Sequence, residues 1–243
     1  MGNITFEVCV DTIEGTVDAV NNGADRIELC DALGIGGTTP SAGLMKAASK
    51  IGKPIYAMIR PRGGDFIFNF EDLDIMYHDI DRCRHYGMEG IVVGMTHENG
   101  ALDYQKLKKV IDHAEGLGVT LHRAFDVTPD TSEALEMAID LGIERILTSG
   151  QKETAIDGAL KIKSVIDEAA GRISIMPCCK INPPNVENLF KIFTVSEIHS
   201  SCRTLVTSPY EKSAPSMAPG DDFSRHITDP VKVKALADYL KNC

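Results

Sequence analysis

The chain has 243 residues, with 25 Lys and Arg against 35 Asp and Glu, so its formal net charge is −10. Hydrophobic residues make up 43% and charged residues 25%, a composition typical of a globular domain and not of a disordered chain. The acidic balance disfavours a nucleic-acid or anionic-membrane partner, and no apolar run has the length of a membrane span.

Along the chain, short β-branched runs alternate with longer amphipathic stretches, a pattern that predicts βαβ units and a parallel sheet. The predicted strands are residues 4–10, 26–30, 55–60, 91–94, 119–125, 145–148, 173–176 and 197–199. The predicted helices are residues 12–22, 40–50, 71–86, 104–115, 131–140, 155–169, 183–193 and 230–240. One long irregular stretch, residues 203–229, is expected to be a loop over a barrel mouth before the C-terminal helix.

Eight strands, each followed by a helix, predict an α/β fold of the (β/α)8 TIM-like barrel type, with residues 1–243 forming a single domain. A doubly wound open sheet is the alternative, but such sheets usually have fewer strands.

The cysteines and the N-terminal residues indicate in which cellular compartment the protein is expected. The seven cysteines include no Cys-x-x-Cys pair, which argues against a zinc ribbon and a thioredoxin-like motif. The start of the chain does not resemble a secretory signal, and Phe6 stands where myristoylation needs Ser or Thr. We therefore expect a cytoplasmic protein with reduced thiols.

Functional groups of such barrels lie at the carboxyl ends of the strands. The valines of the first strand belong on its helix-covered side, so alternation turns Glu7 and Cys9 into the barrel. Glu28 and Cys30 point inward from the second strand by the same rule. Further polar residues at or just beyond strand ends are Arg60, His122, Asp126, Ser149, Glu197, His199 and Ser200.

Buried glutamates need partners, and two interpretations of the inward pair stay open. Glu7 and Glu28 facing Arg60 would form a purely structural network. Alternatively, Arg60 and His122 lie nearer the mouth and serve a ligand.

The run Arg60-Pro-Arg-Gly-Gly-Asp65 is the most unusual local sequence. Two guanidinium groups suit a phosphate or carboxylate ligand, and the glycines allow close backbone approach. The alternative is a tight turn in which Asp65 pairs with Arg62.

Seven runs along the chain carry a family resemblance. They are Glu7-Val-Cys9, Asn22-Gly-Ala-Asp-Arg-Ile-Glu-Leu-Cys30, Gly36-Gly-Thr-Thr-Pro-Ser41, Ile59-Arg-Pro-Arg-Gly-Gly-Asp-Phe66, His122-Arg-Ala-Phe-Asp126, Ile146-Leu-Thr-Ser-Gly150 and Glu197-Ile-His-Ser-Ser201. Together they resemble the CutC copper-homeostasis family, in family order and over nearly the whole chain. The resemblance implies a TIM-like barrel, a cytoplasmic location and a role in copper handling.

The chain departs from the family pattern after strand seven, where Met176-Pro-Cys-Cys-Lys-Ile181 replaces a glycine-rich run. The loops after strands seven and eight commonly hold a phosphate in barrel enzymes, and side chains there put a backbone cradle in doubt. Lys180 adds a point charge. Because adjacent residues alternate faces in a strand, Cys178 and Cys179 are not expected to reach one metal ion together.

The first functional hypothesis is a copper homeostasis protein that binds Cu(I) through Cys9 and Cys30. Thiolates select Cu(I), and both cysteines follow an inward glutamate by two positions, which predicts matching heights on adjacent strands. The alternative is that both thiols are small hydrophobic side chains filling a crowded barrel.

The second hypothesis is an enzyme that acts on a small anionic metabolite. Arg60, Arg62 and Lys180 would bind the anion, and His122 would act as acid or base, oriented by Asp126 or Glu28. A barrel that binds without turnover is a third possibility. The outer helices and the last helix leave surface on which a homo-oligomer can form. Further ligand-binding candidates are Asp65, Ser149, His199 and Ser200.

Overall fold

A computed structural model describes residues 4–207 and 223–243. In these residues a barrel of eight parallel strands alternates with helices, which confirms the predicted (β/α)8 TIM-like architecture. The strands are β1 (Thr5–Val10), β2 (Arg26–Leu29), β3 (Ile55–Met58), β4 (Gly90–Val93), β5 (Gly118–Leu121), β6 (Arg145–Thr148), β7 (Ser174–Pro177) and β8 (Glu197–Ser200). The helices are α1 (Ile13–Asn21), α2 (Ala42–Ala48), α3 (Phe70–Tyr86), α4 (Tyr104–His113), α5 (Thr131–Asp140), α6 (Ala159–Ala169), α7 (Pro183–Phe190) and α8 (Pro230–Leu240).

The strands hydrogen-bond in the order β7-β6-β5-β4-β3-β2-β1-β8, and β8 then lies beside β7 without a ladder between them. The barrel is therefore nearly closed. Apolar side chains on the outer face, such as Val8, Ile27 and Ile91, are fully buried beneath the helices. The interior mixes buried polar side chains such as Glu7, Arg26 and Arg145 with two small clusters that contain Met58, Val92, Leu147 and Met176.

Local chemistry explains several element ends. The side chain of Asn182 caps α7 ahead of Pro183, as the Asn-Pro pair leads one to expect. Helix α2 starts later than predicted because Ser41 caps it. Strand β5 ends at Leu121 rather than residue 125, because the side chain of His122 caps a short 3-10 turn.

The prediction of an irregular loop over residues 203–229 is wrong at both ends of this stretch, where the chain forms strands. These ends form an antiparallel ribbon of β9 (Arg203–Thr207) and β10 (Ser224–Thr228), in which β-branched residues such as Thr204, Val206 and Ile227 favour the extended backbone. The middle of that loop, residues 208–222, lies outside the described residues.

An ion-pair network fills the amino-terminal half of the barrel. The Nε atom of Arg26 donates to Glu7 at 2.5 Å, and Arg26 also pairs with Glu197. Arg145 donates to Glu197 at 3.0 Å and stacks over the ring of Tyr56 at 4.6 Å. Because Arg145 lies on β6 and Glu197 on β8, this pair ties together the strands on either side of β7.

This network corrects the expected pairing of the inward glutamates with Arg60. Glu7 finds its cation on the neighbouring strand, since the register places it directly beside Arg26. The Arg26 guanidinium and the His199 imidazole outweigh the effect of burial and lower the pKa of Glu7 to about 2.

None of the described helices has both the length and the apolar content needed to cross a membrane.

Candidate functional site

A cavity of about 500 Å³ opens at the carboxyl end of the barrel. This is the end at which barrel enzymes place their functional groups. Its polar and sulfur-bearing lining residues come from the strand ends and the loops that follow them: Cys9, Glu28, Met58, Arg60, His122, Arg123, Glu153, Cys178, Cys179, Lys180, His199, Ser201 and Arg203.

Three of these side chains converge closely at the cavity floor. One ligand atom from each of Cys9, Glu28 and His199 lies within 4.8 Å of the other two, and all three residues are buried. The register explains the convergence, because Cys9 is paired with Glu28 and His199 is paired with Glu7 in adjacent ladders. One thiol, one imidazole and one carboxylate form the only such group of three found in the described residues.

Glu7 orients the imidazole of this group. The Nδ1 atom of His199 lies 2.8 Å from a carboxylate oxygen of Glu7, whose other oxygen accepts from Arg26. The other ring nitrogen, Nε2, lies 3.9 Å from Glu28 and faces the cavity. Carboxylates commonly orient metal-binding histidines in this way. Burial disfavours a charged ring, but Cys9, Glu28 and Glu7 raise the pKa of His199 well above its usual value.

Glu28 is the least satisfied of the buried carboxylates. Its Oε1 atom has no hydrogen-bond partner in the described residues, while Oε2 lies 3.6 Å from the thiol of Cys30. Burial raises the pKa of Glu28 to about 7, against the opposing effect of His199. An unpaired buried oxygen is expensive unless a ligand or a proton satisfies it.

The sequence predicts that Cys9 and Cys30 lie at the same height in the barrel, and the structure shows that they do not. Cys9 is level with Glu28, so Cys30 stands one inward layer farther toward the barrel mouth. Its thiol packs against Gly37, where an added Cβ would lie 3.2 Å from the sulfur. Cys30 is buried beside the cavity lining, and its role as a metal ligand stays a prediction.

Arg60 lines the cavity and also binds the neighbouring loops. Its guanidinium donates to the carbonyl oxygens of Ile35, Gly37 and Gly64, at 2.9 to 3.1 Å, and stacks over Phe66. The buried Nε atom of Arg60 has no acceptor in the described residues.

The environment of His122 differs from the predicted acid–base arrangement. Its Nδ1 atom accepts from the backbone N–H of Ala124 at 3.0 Å, and its ring packs against Phe66 with the two planes tilted by 42°. Nε2 therefore carries the proton, and it has no acceptor in the described part of the chain. Burial and the nearby Arg60 lower the pKa of His122 to about 3. Neither Asp126 nor Glu28 orients the ring.

Asp126 instead fastens the loop after β6. Its carboxylate accepts hydrogen bonds from the hydroxyl of Thr148, from both the backbone N–H and the hydroxyl of Ser149, and from the backbone N–H of Gln151. Arg123 adds a salt bridge at 2.9 Å. The carboxylate is saturated, which is why it is not available to His122.

Several other predicted ligand-binding residues lie away from the cavity. Arg62 pairs with Asp65 at 3.0 Å on the surface, as the alternative interpretation of this turn expects. The hydroxyl of Ser200 donates to the carbonyl of Ile181, and Ser201 lines the cavity in its place.

Nothing in the sequence singled out Arg123, although it belongs to the matched motif at residues 122–126 and lines the cavity.

The adjacent cysteines lie closer together than strand alternation predicts. Strand β7 ends at Pro177, and Cys179 has a left-handed φ of 76°, so strand alternation does not apply. The sulfurs of Cys178 and Cys179 lie 3.5 Å apart, and both residues line the cavity. The hydrogen bond from Cys178, aided by Arg123, lowers the pKa of Cys179 to about 7 despite its burial.

Comparisons with known proteins agree on one family. The CutC family model matches residues 4–204. A "family protein CutC" of Rhizobium meliloti is 52% identical over 250 residues, covering 99% of this chain and 97% of the relative. The human "Copper homeostasis protein cutC homolog" is 39% identical over 243 residues, covering 98% of this chain and 89% of the relative.

Solved structures give the same grouping. A crystal structure named for the copper homeostasis protein CutC of Streptococcus agalactiae has a TM-score of 0.76 at 32% identity, covering 82% of this chain and 98% of the other. A thiamine phosphate pyrophosphorylase from Pyrococcus furiosus has a TM-score of 0.59 at 12% identity, covering 99% and 96%. The second likeness shows a shared barrel fold alone.

Proposed function

The chain belongs to the CutC family, and from that premise we propose that it is a cytoplasmic copper homeostasis protein whose barrel cavity binds Cu(I). The names of the human and streptococcal relatives support the copper role. The observation that carries the proposal is the convergence of Cys9, Glu28 and His199 within 4.8 Å at the cavity floor. All seven cysteines are free, which suits a reducing compartment.

The donor set fits a soft cation. Thiolate is the preferred ligand of Cu(I), and imidazole suits copper in general. Cys9 and His199 supply these two donors, and Glu28 supplies a negative charge beside them. A metal ion displaces a proton from each donor that it binds, and the carboxylate of Glu28 can accept such a proton. Glu7 holds the imidazole so that Nε2 faces the cavity, which reduces the ordering needed on binding.

Cys30 is the competing second thiol. Its sulfur approaches Glu28 from the layer above, at 3.6 Å. A ligand set of Cys9 and Cys30 requires the ion to lie higher in the barrel than a set of Cys9 and His199. The two sets therefore make different predictions for single substitutions.

The test is an anaerobic competition titration of Cu(I) against a chromogenic chelator, with protein purified without a metal-affinity tag. We expect Cys9→Ser and His199→Gln each to weaken binding by about tenfold or more. Cys83→Ser is the matched control, because Cys83 is equally buried but lies in α3 outside the cavity. It should bind like the unmodified chain.

Cys30→Ser separates the two ligand sets. A loss as large as that of Cys9→Ser, with His199→Gln unaffected, would assign the Cys9–Cys30 pair. Unchanged stoichiometry and affinity in every variant would overturn the copper proposal.

A second candidate function, binding or conversion of a small anionic metabolite, is favoured by unpaired donors in the same cavity. Arg60 Nε and His122 Nε2 are both buried without acceptors among the described residues, and both side chains contact the ring of Phe66. Additional positive charge comes from Arg123, Lys180 and Arg203 in the lining. In this arrangement His122 acts as a hydrogen-bond donor rather than as a base.

Calorimetric titration with inorganic phosphate tests this candidate. Arg60→Ala should remove phosphate binding while the barrel stays folded, because no buried carboxylate loses its partner. The lost hydrogen bonds to carbonyls should cost about 1–3 kcal/mol in urea unfolding. Equal phosphate affinity in both chains would exclude Arg60 as an anion ligand, and a metabolite turnover screen then separates an enzyme from a binding barrel.

A further inference from the structure

Two adjacent thiols converge where β7 ends. Cys179 and Lys180 both have left-handed backbone, with φ of 76° and 57°, so the chain turns sharply after Cys178. This turn brings the two sulfurs to 3.5 Å from each other on the cavity wall. The folded backbone sets this separation before any ligand arrives, which lowers the ordering cost of a chelate.

The wall behind the pair is apolar. Cys178 is fully buried in a small cluster with Leu147 and Met176, and Cys179 is half-buried against the same cluster. Arg123, which lines the same cavity, already pairs with Asp126 at 2.9 Å. Because Cys178 lies among buried apolar side chains, a ligand that leaves a neutral product is favoured over one that leaves a net charge.

The separation of the sulfurs also selects the ligand. A linear centre with metal–sulfur bonds of about 2.3 Å would hold its sulfurs about 4.6 Å apart, whereas a bent centre brings them below about 4 Å. Two thiolates on linear Cu(I) would leave a net negative charge. Trivalent arsenic bonds to sulfur at a bent angle, and its dithiol adducts are neutral.

We propose that Cys178 and Cys179 form a chelating site for trivalent arsenic compounds. The reacting species is the hydrated form, R–As(OH)2, which phenylarsine oxide gives on adding one water. In the binding step two S–H and two As–OH bonds break, two As–S and two O–H bonds form, and two molecules of water leave. No atom changes oxidation state, so no oxidant or reductant is needed. The site lies in the same cavity but uses none of the side chains proposed to bind Cu(I), so it stands whether or not copper binds.

Phenylarsine oxide is the probe, and intact-protein mass spectrometry is the measurement. We expect one phenylarsenic group per chain, retained in excess glutathione and released by 2,3-dimercaptopropanol. Cys179→Ser should lose retention in glutathione by about 10²-fold or more, because the second bond is no longer intramolecular. Cys178→Ser should behave in the same way.

The controls assign the adduct to a particular pair. Cys83→Ser, and the Cys9→Ser and Cys30→Ser double variant, should keep the glutathione-resistant adduct. Its loss in the Cys9 and Cys30 double variant, or its survival in Cys179→Ser, would overturn the proposal. If the buried Cys178→Ser variant fails to fold, Cys179→Ser decides alone, since its side chain is half-buried and Tm shows whether it is folded.

Discussion

The buried ring of His122 illustrates how a single environment determines the protonation of one residue. Nδ1 accepts a backbone hydrogen bond, and the nearby Arg60 opposes a second positive charge. Together with burial, which is the largest cause, these contacts lower the pKa of His122 to about 3, so the ring is neutral in the folded chain near pH 7. Its unfolded counterpart takes up a proton at a pH near 6.5.

This difference predicts acid sensitivity. Because the pKa of His122 falls to about 3 on folding, the unfolded chain binds more protons between pH 6.5 and 3. The free energy of unfolding should thus be fully retained above pH 6.5 and should fall below it, by at most about 1.4 kcal/mol per pH unit from this group. His122→Asn, which keeps an acceptor for Ala124, should flatten the fall in urea unfolding between pH 7 and 5. Parallel curves for the two chains would contradict the assignment.

At the scale of elements, the loop after β6 depends on one carboxylate. Asp126 binds the backbone N–H groups of Ser149 and Gln151, so it fixes the segment that joins β6 to α6. Gly158, at the cap of α6, packs so closely on this loop that an added Cβ would lie 1.9 Å from the Ser149 carbonyl oxygen. The loop is held from both sides.

Removing the carboxylate should loosen the loop locally. Asp126→Ala is expected to speed hydrogen exchange at Ser149 and Gln151 and to lower the free energy of unfolding by about 1–3 kcal/mol. Asp130→Ala is the control, because Asp130 caps the neighbouring α5 and its loss costs about 1 kcal/mol without touching this loop. Equal exchange rates at the two amides in both variants would refute the anchoring role.

For the whole molecule, the buried network at the base of the barrel compensates for the missing ladder between β7 and β8. Glu197 on β8 binds Arg26 on β2 and Arg145 on β6, so it joins three strands across the interior. Each arginine has a second carboxylate, Glu7 for Arg26 and Glu144 for Arg145.

Breaking this network should destabilise the entire barrel. We expect Glu197→Gln to lower the free energy of unfolding by about 3 kcal/mol, the low end for a broken buried pair, because each arginine keeps another partner. Glu136→Gln is the matched control, since Glu136 pairs with Arg172 on the surface and its loss should cost below about 1 kcal/mol. Similar losses in both variants would show that the interior pairs carry no special weight.

Sequence patterns were enough to predict the order of strands and helices, the barrel and the inward direction of Glu7, Cys9 and Glu28. These features follow from local periodicity and capping, which adjacent residues encode. The cap at Asn182 and the pairing of Arg62 with Asp65 are equally local, and the structure has both.

Which inward side chains meet one another could be seen only in the folded barrel. The stagger between strands places Cys9 beside Glu28 and His199 beside Glu7, and no local pattern encodes that register. For the same reason Glu7 pairs with Arg26, where the sequence had suggested Arg60. The convergence of Cys178 and Cys179 depends on a left-handed turn that strand alternation does not anticipate. The site therefore arises from contacts between residues far apart in the chain, because a closed barrel sets the height of every side chain relative to its neighbours.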